Sequence, residues 1–348
     1  MHEAGEKVLI VGPSWVGDMV MSQVLYIYLQ QTRPGLVIDV LAPAWSGAIL
    51  QRMPQVNRAI AMPIGHGQLA LGHRRRLGRE LRAQHYDQAI LLPNSLKSAL
   101  VPFFARIPRR TGWRGEMRYG LLNDLRILDE EALPLMVQRF VALGMARGAA
   151  LPGQLPEPHL VVDPQAALRC RSKVGLGADL PILALCPGAE FGAAKRWPAQ
   201  YYAQLARDYL ARDWQVALYG SANDREVCAQ IKGASGDHPH CHNLAGSTSL
   251  AEVVDLLSLS AAVVSNDSGL MHIAAALQRP LLAIYGPTSP GFTPPLSAVA
   301  GLLVSDIDCA PCFQRECPLG HHRCMQDAKP QLAAAKLDAL LADSEGRP

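Results

Sequence analysis

Short apolar runs alternate with longer amphipathic stretches along the chain, and that rhythm predicts its architecture. Val8–Gly12, Val37–Ala42, Ala59–Met62 and Gln88–Leu92 read as buried strands in the first half. Ile182–Cys186, Gln215–Gly220, Ala262–Ser265, Leu281–Tyr285 and Leu302–Ser305 do so in the second. Helical spacing fills the intervals, notably over Met19–Gln31, Ala44–Met53 and Leu270–Leu277. Strands apolar on both faces and separated by helices indicate parallel sheets covered on both sides. Gly148–Pro164, rich in Pro and Gly and poor in pattern, is the natural linker. The expectation is an α/β protein with a first domain over 1–160 and a second over 161–328. The remainder, 329–348, carries a short helix, Pro330–Leu341, that is a candidate to pack back on the first domain.

Composition supports this picture and removes some function classes. A chain of 348 residues exceeds the usual single-core limit, and 49% hydrophobic with 18% charged residues suits a soluble α/β protein. Met1–Lys7 is short and polar, unlike a signal peptide or anchor, and no apolar run is long enough to span a bilayer. A cytoplasmic location is expected, with peripheral attachment to the cytoplasmic face of the inner membrane left open. Oligomeric state is not readable from the pattern.

Four strand ends in the second half carry glycine turns, where ligands of parallel sheets bind. In Val264–His272 an apolar strand runs into Asp267-Ser268-Gly269 and a helix opens at once. Unpaired N–H groups and the positive helix end at such a junction suit the oxygens of a diphosphate, with His272 one turn in as a further hydrogen-bonding group. The same turn also suits an ordinary cap. Gly188-Ala189-Glu190 follows the strand ending at Cys186, and Lys195 and Arg196 follow shortly after, placed to neutralise phosphate charge. Gly220-Ser221 and Gly286 close two further strands.

In the first half, Gly12-Pro13-Ser14-Trp15-Val16-Gly17-Asp18 links the first strand to a helix, with neither the P-loop nor the dinucleotide-fold glycine spacing. Asp18 near the helix start reads equally as a general base at a cleft and as an N-terminal helix carboxylate. Between Arg58 and Arg118 stand twelve Lys or Arg (58, 74, 75, 76, 79, 82, 97, 106, 109, 110, 114, 118) against three acids, Glu80, Asp87 and Glu116. An anionic partner at a membrane surface suits that imbalance. Arg79 and Arg82 read better as a solvated helix face, whereas Lys97 and Arg114, in loops beside Asn94 and Trp113, are placed for contact with a substrate.

Eight cysteines are present, of which Cys170, Cys186, Cys228 and Cys241 stand apart and read as free core thiols. Cys309, Cys312, Cys317 and Cys324 share one stretch with His321 and His322. That spacing suits a structural zinc site or an irregular loop of free thiols, and both readings stay open.

Several of these segments together resemble the bacterial ADP-heptose:lipopolysaccharide heptosyltransferases, on their heptosyltransferase II branch. They are Gly12–Asp18, Leu92-Pro93-Asn94-Ser95-Leu96-Lys97-Ser98, Arg110–Glu116, Cys186–Glu190, Asn243-Leu244-Ala245-Gly246 and Asn266–Leu270; the likeness spans nearly the whole chain and departs from the family pattern at the cysteine stretch. The resemblance implies a GT-B fold, with two Rossmann-like domains facing across a cleft, the first for the acceptor and the second for the sugar nucleotide. It implies inverting transfer of L-glycero-D-manno-heptose from ADP-heptose to the first heptose of the lipopolysaccharide inner core, by direct displacement with Asp18 as base. It further implies no metal or other cofactor, contact of Lys195 with the phosphates, and a sugar-donor loop of Asp267, Ser268, Gly269 and His272. Ser14, Trp15, Asn94, Ser95, Lys97, Trp113 and Arg114 are the expected acceptor contacts. A different acceptor within the family is one alternative, and a non-catalytic sugar-nucleotide sensor is another. Nucleic acid is not an expected partner, because no groove-reading helix or aromatic-interleaved motif accompanies the basic stretch.

Overall fold

The computed structural model describes residues 5–65 and 67–345. The chain divides into two units at 158/159, close to the expected 160/161.

Among the described residues the first unit is built on a six-stranded sheet. Its elements are β1 (Lys7–Val11), α1 (Val16–Thr32), β2 (Val37–Pro43), α2 (Gly47–Leu50), β3 (Val56–Met62), α3 (Leu71–Leu81), β4 (Gln88–Leu91), α4 (Leu96–Phe104), β5 (Arg109–Trp113), β6 (Asp124–Arg126) and α5 (Met136–Gly144). The sheet order is β3-β2-β1-β4-β5-β6, every pair parallel. Leu9, Val11, Leu41 and Leu91 are buried with Leu81, Ala99 and Val101 from the α3–α4 side. Those two helices meet at Gly78, where a Cβ would stand 2.8 Å from the Val101 carbonyl. On α5, Gly144 makes room for Leu25 and Leu29 of α1 in the same way.

The second unit repeats the plan with α6 (Pro164–Lys173), β7 (Ile182–Cys186), α7 (Ala199–Leu210), β8 (Gln215–Leu218), α8 (Arg225–Ala234), β9 (Cys241–Asn243), α9 (Leu250–Ser258), β10 (Ala262–Asn266), α10 (Gly269–Ala276), β11 (Leu281–Tyr285), β12 (Ala300–Val304), α11 (Arg323–Gln326) and α12 (Pro330–Glu345). Its sheet, also six-stranded among the described residues and parallel, runs β12-β11-β10-β7-β8-β9. Trp197 anchors the core, its ring edge-on to Tyr202 at 4.8 Å and its indole N–H donating to the Ala328 carbonyl at 2.7 Å. Burial of an aromatic this size with its polar atom satisfied is worth several kcal/mol, on the order of 3–5 when truncated.

Three expectations change. The terminal helix, taken as a candidate for the first domain, buries Ala333 and Leu337 in the second unit's own core, because its apolar stripe matches the surface of α7 and β11. The helix expected over Ala44–Met53 shrinks to α2 and a preceding 3-10 turn, Ala44–Ser46. Strands β5, β6 and β9 sit where the sequence showed none, since their polar residues pair through backbone. In both sheets the order reverses beside the first strand, between β1 and β4 and between β7 and β10, which is where such folds bind ligands. No helix among the described residues is long and apolar enough to cross a membrane.

Candidate active site

The four glycine turns of the second unit close β7, β8, β10 and β11, adjacent strands of one parallel sheet, so they share one edge. At the reversal point Asn266 ties that edge together. Its fully buried amide donates to the Pro187 carbonyl at 2.8 Å, while its oxygen accepts the Trp197 N–H at 3.2 Å and the Tyr202 hydroxyl at 3.0 Å.

Beside it Lys195 Nζ lies 2.6 Å from Asp267 Oδ2 and 3.1 Å from the Asp267 carbonyl. The Thr288 hydroxyl donates to the same carboxylate oxygen at 2.6 Å. The Phe191 ring centroid lies 5.1 Å from the ammonium. Asp267 is thereby neutralised, and the edge can accept a dianionic phosphate without an uncompensated carboxylate repelling it. His272, 5% exposed, is pushed down to about 4 by burial, with Asp267 opposing and Lys195 assisting, so its imidazole is neutral near pH 7. Ser268 precedes α10 in extended conformation and makes no side-chain cap, whereas Ser249 caps α9 and Asp163 caps α6. The start of α10 therefore has no side-chain cap from Ser268, and helix N-termini of this kind suit anions.

Three of the glycines at these turns also make room for neighbouring side chains. A Cβ on Gly188 would stand 2.7 Å from the Asp224 carboxylate, and one on Gly220 2.6 Å from the Asp224 Cβ. Asp224 is buried there and accepts from both the N–H and the hydroxyl of Ser221, at 2.9 and 2.8 Å. Gly286 makes room for Met325 and Cys324. At these three positions the place of a side chain is taken by other atoms of the protein. Ala189 is also buried, while Glu190 and Arg196 are exposed.

In the first unit the turns after β1 and β4 stand side by side at the reversal point, joined by the Leu92 N–H to the Val11 carbonyl at 3.1 Å. Ser14 and Trp15 are exposed on the first, with Asp18 in the opening turn of α1. Asn94 is exposed on the second, and Ser95 precedes α4. Lys97 belongs to the first turn of α4 rather than to a loop. Trp113 ends β5 buried, its indole N–H donating to the Arg139 carbonyl at 3.2 Å, so it supports this edge and offers no donor to an acceptor; Arg114 beside it is exposed.

Arg118, counted in the sequence only as part of the basic stretch, is 1% exposed. It donates to the Pro93 carbonyl at 2.8 Å, Ser98 Oγ at 3.2 Å and the Trp113 carbonyl, and burial lowers its pKa to about 10. Glu116 accepts the Leu96 N–H at the start of α4. Together they fasten the Asn94 turn to the strand beside it. Only the conflict between a charged residue and its apolar neighbours could have signalled this.

The eight thiols are free. Cys309 Sγ lies 4.0 Å from His321 Nε2, yet no group of three or more His, Cys, Asp or Glu among the described residues is gathered to hold an ion. Cys324 packs in the core beneath Gly286, where burial, and then the neighbouring Cys309, Cys312 and Cys317, raise its pKa.

A family model, glycosyltransferase family 9 (heptosyltransferase), matches residues 74–323. The chain belongs to glycosyltransferase family 9. Relatives named as heptosyltransferases match along nearly the whole chain. Lipopolysaccharide heptosyltransferase 2 of Escherichia coli K12 is 50% identical over 347 residues, covering 97% of this chain and 99% of that protein. Lipooligosaccharide heptosyltransferase 2 of Haemophilus influenzae is 48% identical over 346 residues, with the same coverage. The solved structure of E. coli ADP-heptose lps heptosyltransferase II matches with a TM-score of 0.89 at 49% identity, covering 98% of this chain and 100% of that one. This family 9 chain is therefore a glycosyltransferase with the GT-B architecture that the resemblance implied. Two buried residues beyond the expected site residues, Asn266 and Thr288, hold the second unit's edge in shape.

Proposed function

We propose that this enzyme moves L-glycero-D-manno-heptose from ADP-heptose to the first heptose of a lipopolysaccharide inner core, with inversion. The identity of half the residues over the full length of lipopolysaccharide heptosyltransferase 2 carries the reading. The uncapped start of α10 beside the Lys195–Asp267 pair supports a diphosphate site in the second unit. Asp18 takes the acceptor hydroxyl proton as that oxygen bonds to the anomeric carbon; the bond from that carbon to the phosphate oxygen breaks, and ADP leaves with its electron pair. Lys195 and the α10 amides meet the negative charge that grows on the leaving ADP. Exposed Ser14, Trp15, Asn94 and Arg114, with Ser95 and Lys97, hold the acceptor sugars, presented at a membrane surface.

Incubation with ADP-heptose and an acceptor bearing a single core heptose tests this by mass spectrometry. Product heavier by one heptose is expected; an unchanged acceptor beside intact ADP-heptose overturns the reading.

A further inference from the structure

Five arginines of the first unit, Arg75, Arg79, Arg82, Arg106 and Arg110, line a basin of about 740 Å³ between α3 and α4, away from the turns that carry Ser14, Asp18 and Asn94. Arg75, Arg79 and Arg82 follow one another at helical spacing on α3 and into the turn after it, a stripe about 10 Å long at 1.5 Å rise per residue. Gly78 brings the helices close enough for the stripe to join Arg106 and Arg110. Arg110 is anchored to the Leu121 and Ile107 carbonyls, with its guanidinium 5.8 Å from the Phe103 ring, and Arg82 donates to the Phe104 carbonyl at 2.9 Å. The side chains of Arg75, Arg79 and Arg106 make no hydrogen bond or ion pair among the described residues, and no carboxylate lines the basin. Desolvation, then the charges of Arg106, Arg79 and Arg75, lower the Arg82 pKa, as expected of positive groups gathered without counterions. On the same rim Leu71 is 50% and Phe103 41% exposed.

We propose that this α3–α4 face is a docking surface for an anionic phospholipid bilayer. The arginines bind lipid phosphates, and Leu71 and Phe103 enter the interface between headgroups and chains. The apolar rim favours a bilayer over a nucleic acid, since a bilayer accepts aliphatic side chains and guanidinium groups on one plane. The proposal deepens the reading of a lipid-borne acceptor and rests on it only for its purpose. Vesicle binding needs no acceptor, so failed heptose transfer and failed docking are separate results.

Flotation of the full chain with vesicles of phosphatidylglycerol and phosphatidylcholine, against phosphatidylcholine alone, reads the surface directly. Binding to the anionic vesicles that falls with salt is expected, and R75Q/R79Q should weaken it at least tenfold at about 1 kcal/mol per cation. Phe103→Ser should remove the part that survives high salt. The R75Q/R79Q variant should keep its turnover on a soluble, deacylated acceptor and lose turnover on the same acceptor embedded in vesicles. Equal binding to both vesicle types, unchanged binding by R75Q/R79Q with an unshifted melting temperature, or tighter binding to a duplex oligonucleotide than to vesicles overturns the proposal. A raised KM for the soluble acceptor in R75Q/R79Q also does so, because it assigns the basin to acceptor phosphates instead.

Discussion

Lys195 Nζ and Asp267 Oδ2 are 2.6 Å apart, with 12% and 6% of the two side chains exposed. A pair this dry is costly to break from one side, on the order of 3 kcal/mol or more, because the survivor keeps its charge without a partner. Lys195→Met should therefore lower the melting temperature and weaken ADP-heptose binding. K195M/D267N should regain part of the stability while affinity stays low. Calorimetric titration and thermal melts separate the two; a sugar-donor affinity unchanged in K195M removes Lys195 from the phosphate site.

Asp18→Asn keeps the shape of the side chain and removes the base. We expect kcat to fall 10²-fold or more, the usual order for a lost general base, with the ADP-heptose dissociation constant unchanged. A rate within threefold of the parent enzyme would exclude Asp18 from proton transfer and leave it a residue of the helix start.

Burial holds the folded pKa of His272 near 4, below the ordinary 6.5. Above about pH 6.5 the imidazole is neutral whether the chain is folded or not, and its titration costs nothing. Below that, the unfolded chain takes up a proton that the folded one refuses, so stability is lost as pH falls from about 6.5 toward 4. Between pH 7.5 and 5 the loss should be about 2 kcal/mol. Urea unfolding at both pH values should show this slope in the parent chain and a shallower one in His272→Gln. Equal slopes would mean that the imidazole titrates normally.

Asp224 fills the space beside Gly188 and Gly220. Gly188→Ala should destabilise the second unit by about 1–3 kcal/mol, the usual cost of overpacking. Asp224→Ala loses the hydrogen bonds to Ser221, a separate cost of about 1 kcal/mol. Because the two side chains collide, the double variant should be more stable than the sum of the singles requires. Strict additivity in denaturant unfolding would show that the carboxylate simply swings aside.

The sheet centres were legible because β1, β2, β4, β7, β8, β10 and β11 carry apolar runs that only burial on both faces explains. Strands β5, β6 and β9 were not, although the outermost β3 and β12 were. In β5 the residues Arg109-Arg110-Thr111 look like a charged loop, yet the strand is held by backbone pairing to β4 on one side and β6 on the other, and Arg110 turns its guanidinium onto carbonyls of its own unit. At the candidate site, motif spacing pointed to Asp18, Lys195 and Asp267, since each stands at a strand-to-helix junction. It missed Arg118 and Thr288, whose roles depend on partners brought near by folding. The packing at Gly188, Gly220 and Gly286 was not legible either, because a sequence does not show which atom occupies the place of a missing side chain.

Asn266 spends one amide on both sides of the reversal point, holding the Pro187 carbonyl with one end and Trp197 and Tyr202 with the other. The turn after β7 and the end of β10 consequently keep a fixed spacing, set before any sugar nucleotide arrives. On the proposed reading, selectivity at this edge is then a property of a template: a ligand whose diphosphate does not match the spacing gains nothing from the turns bending toward it.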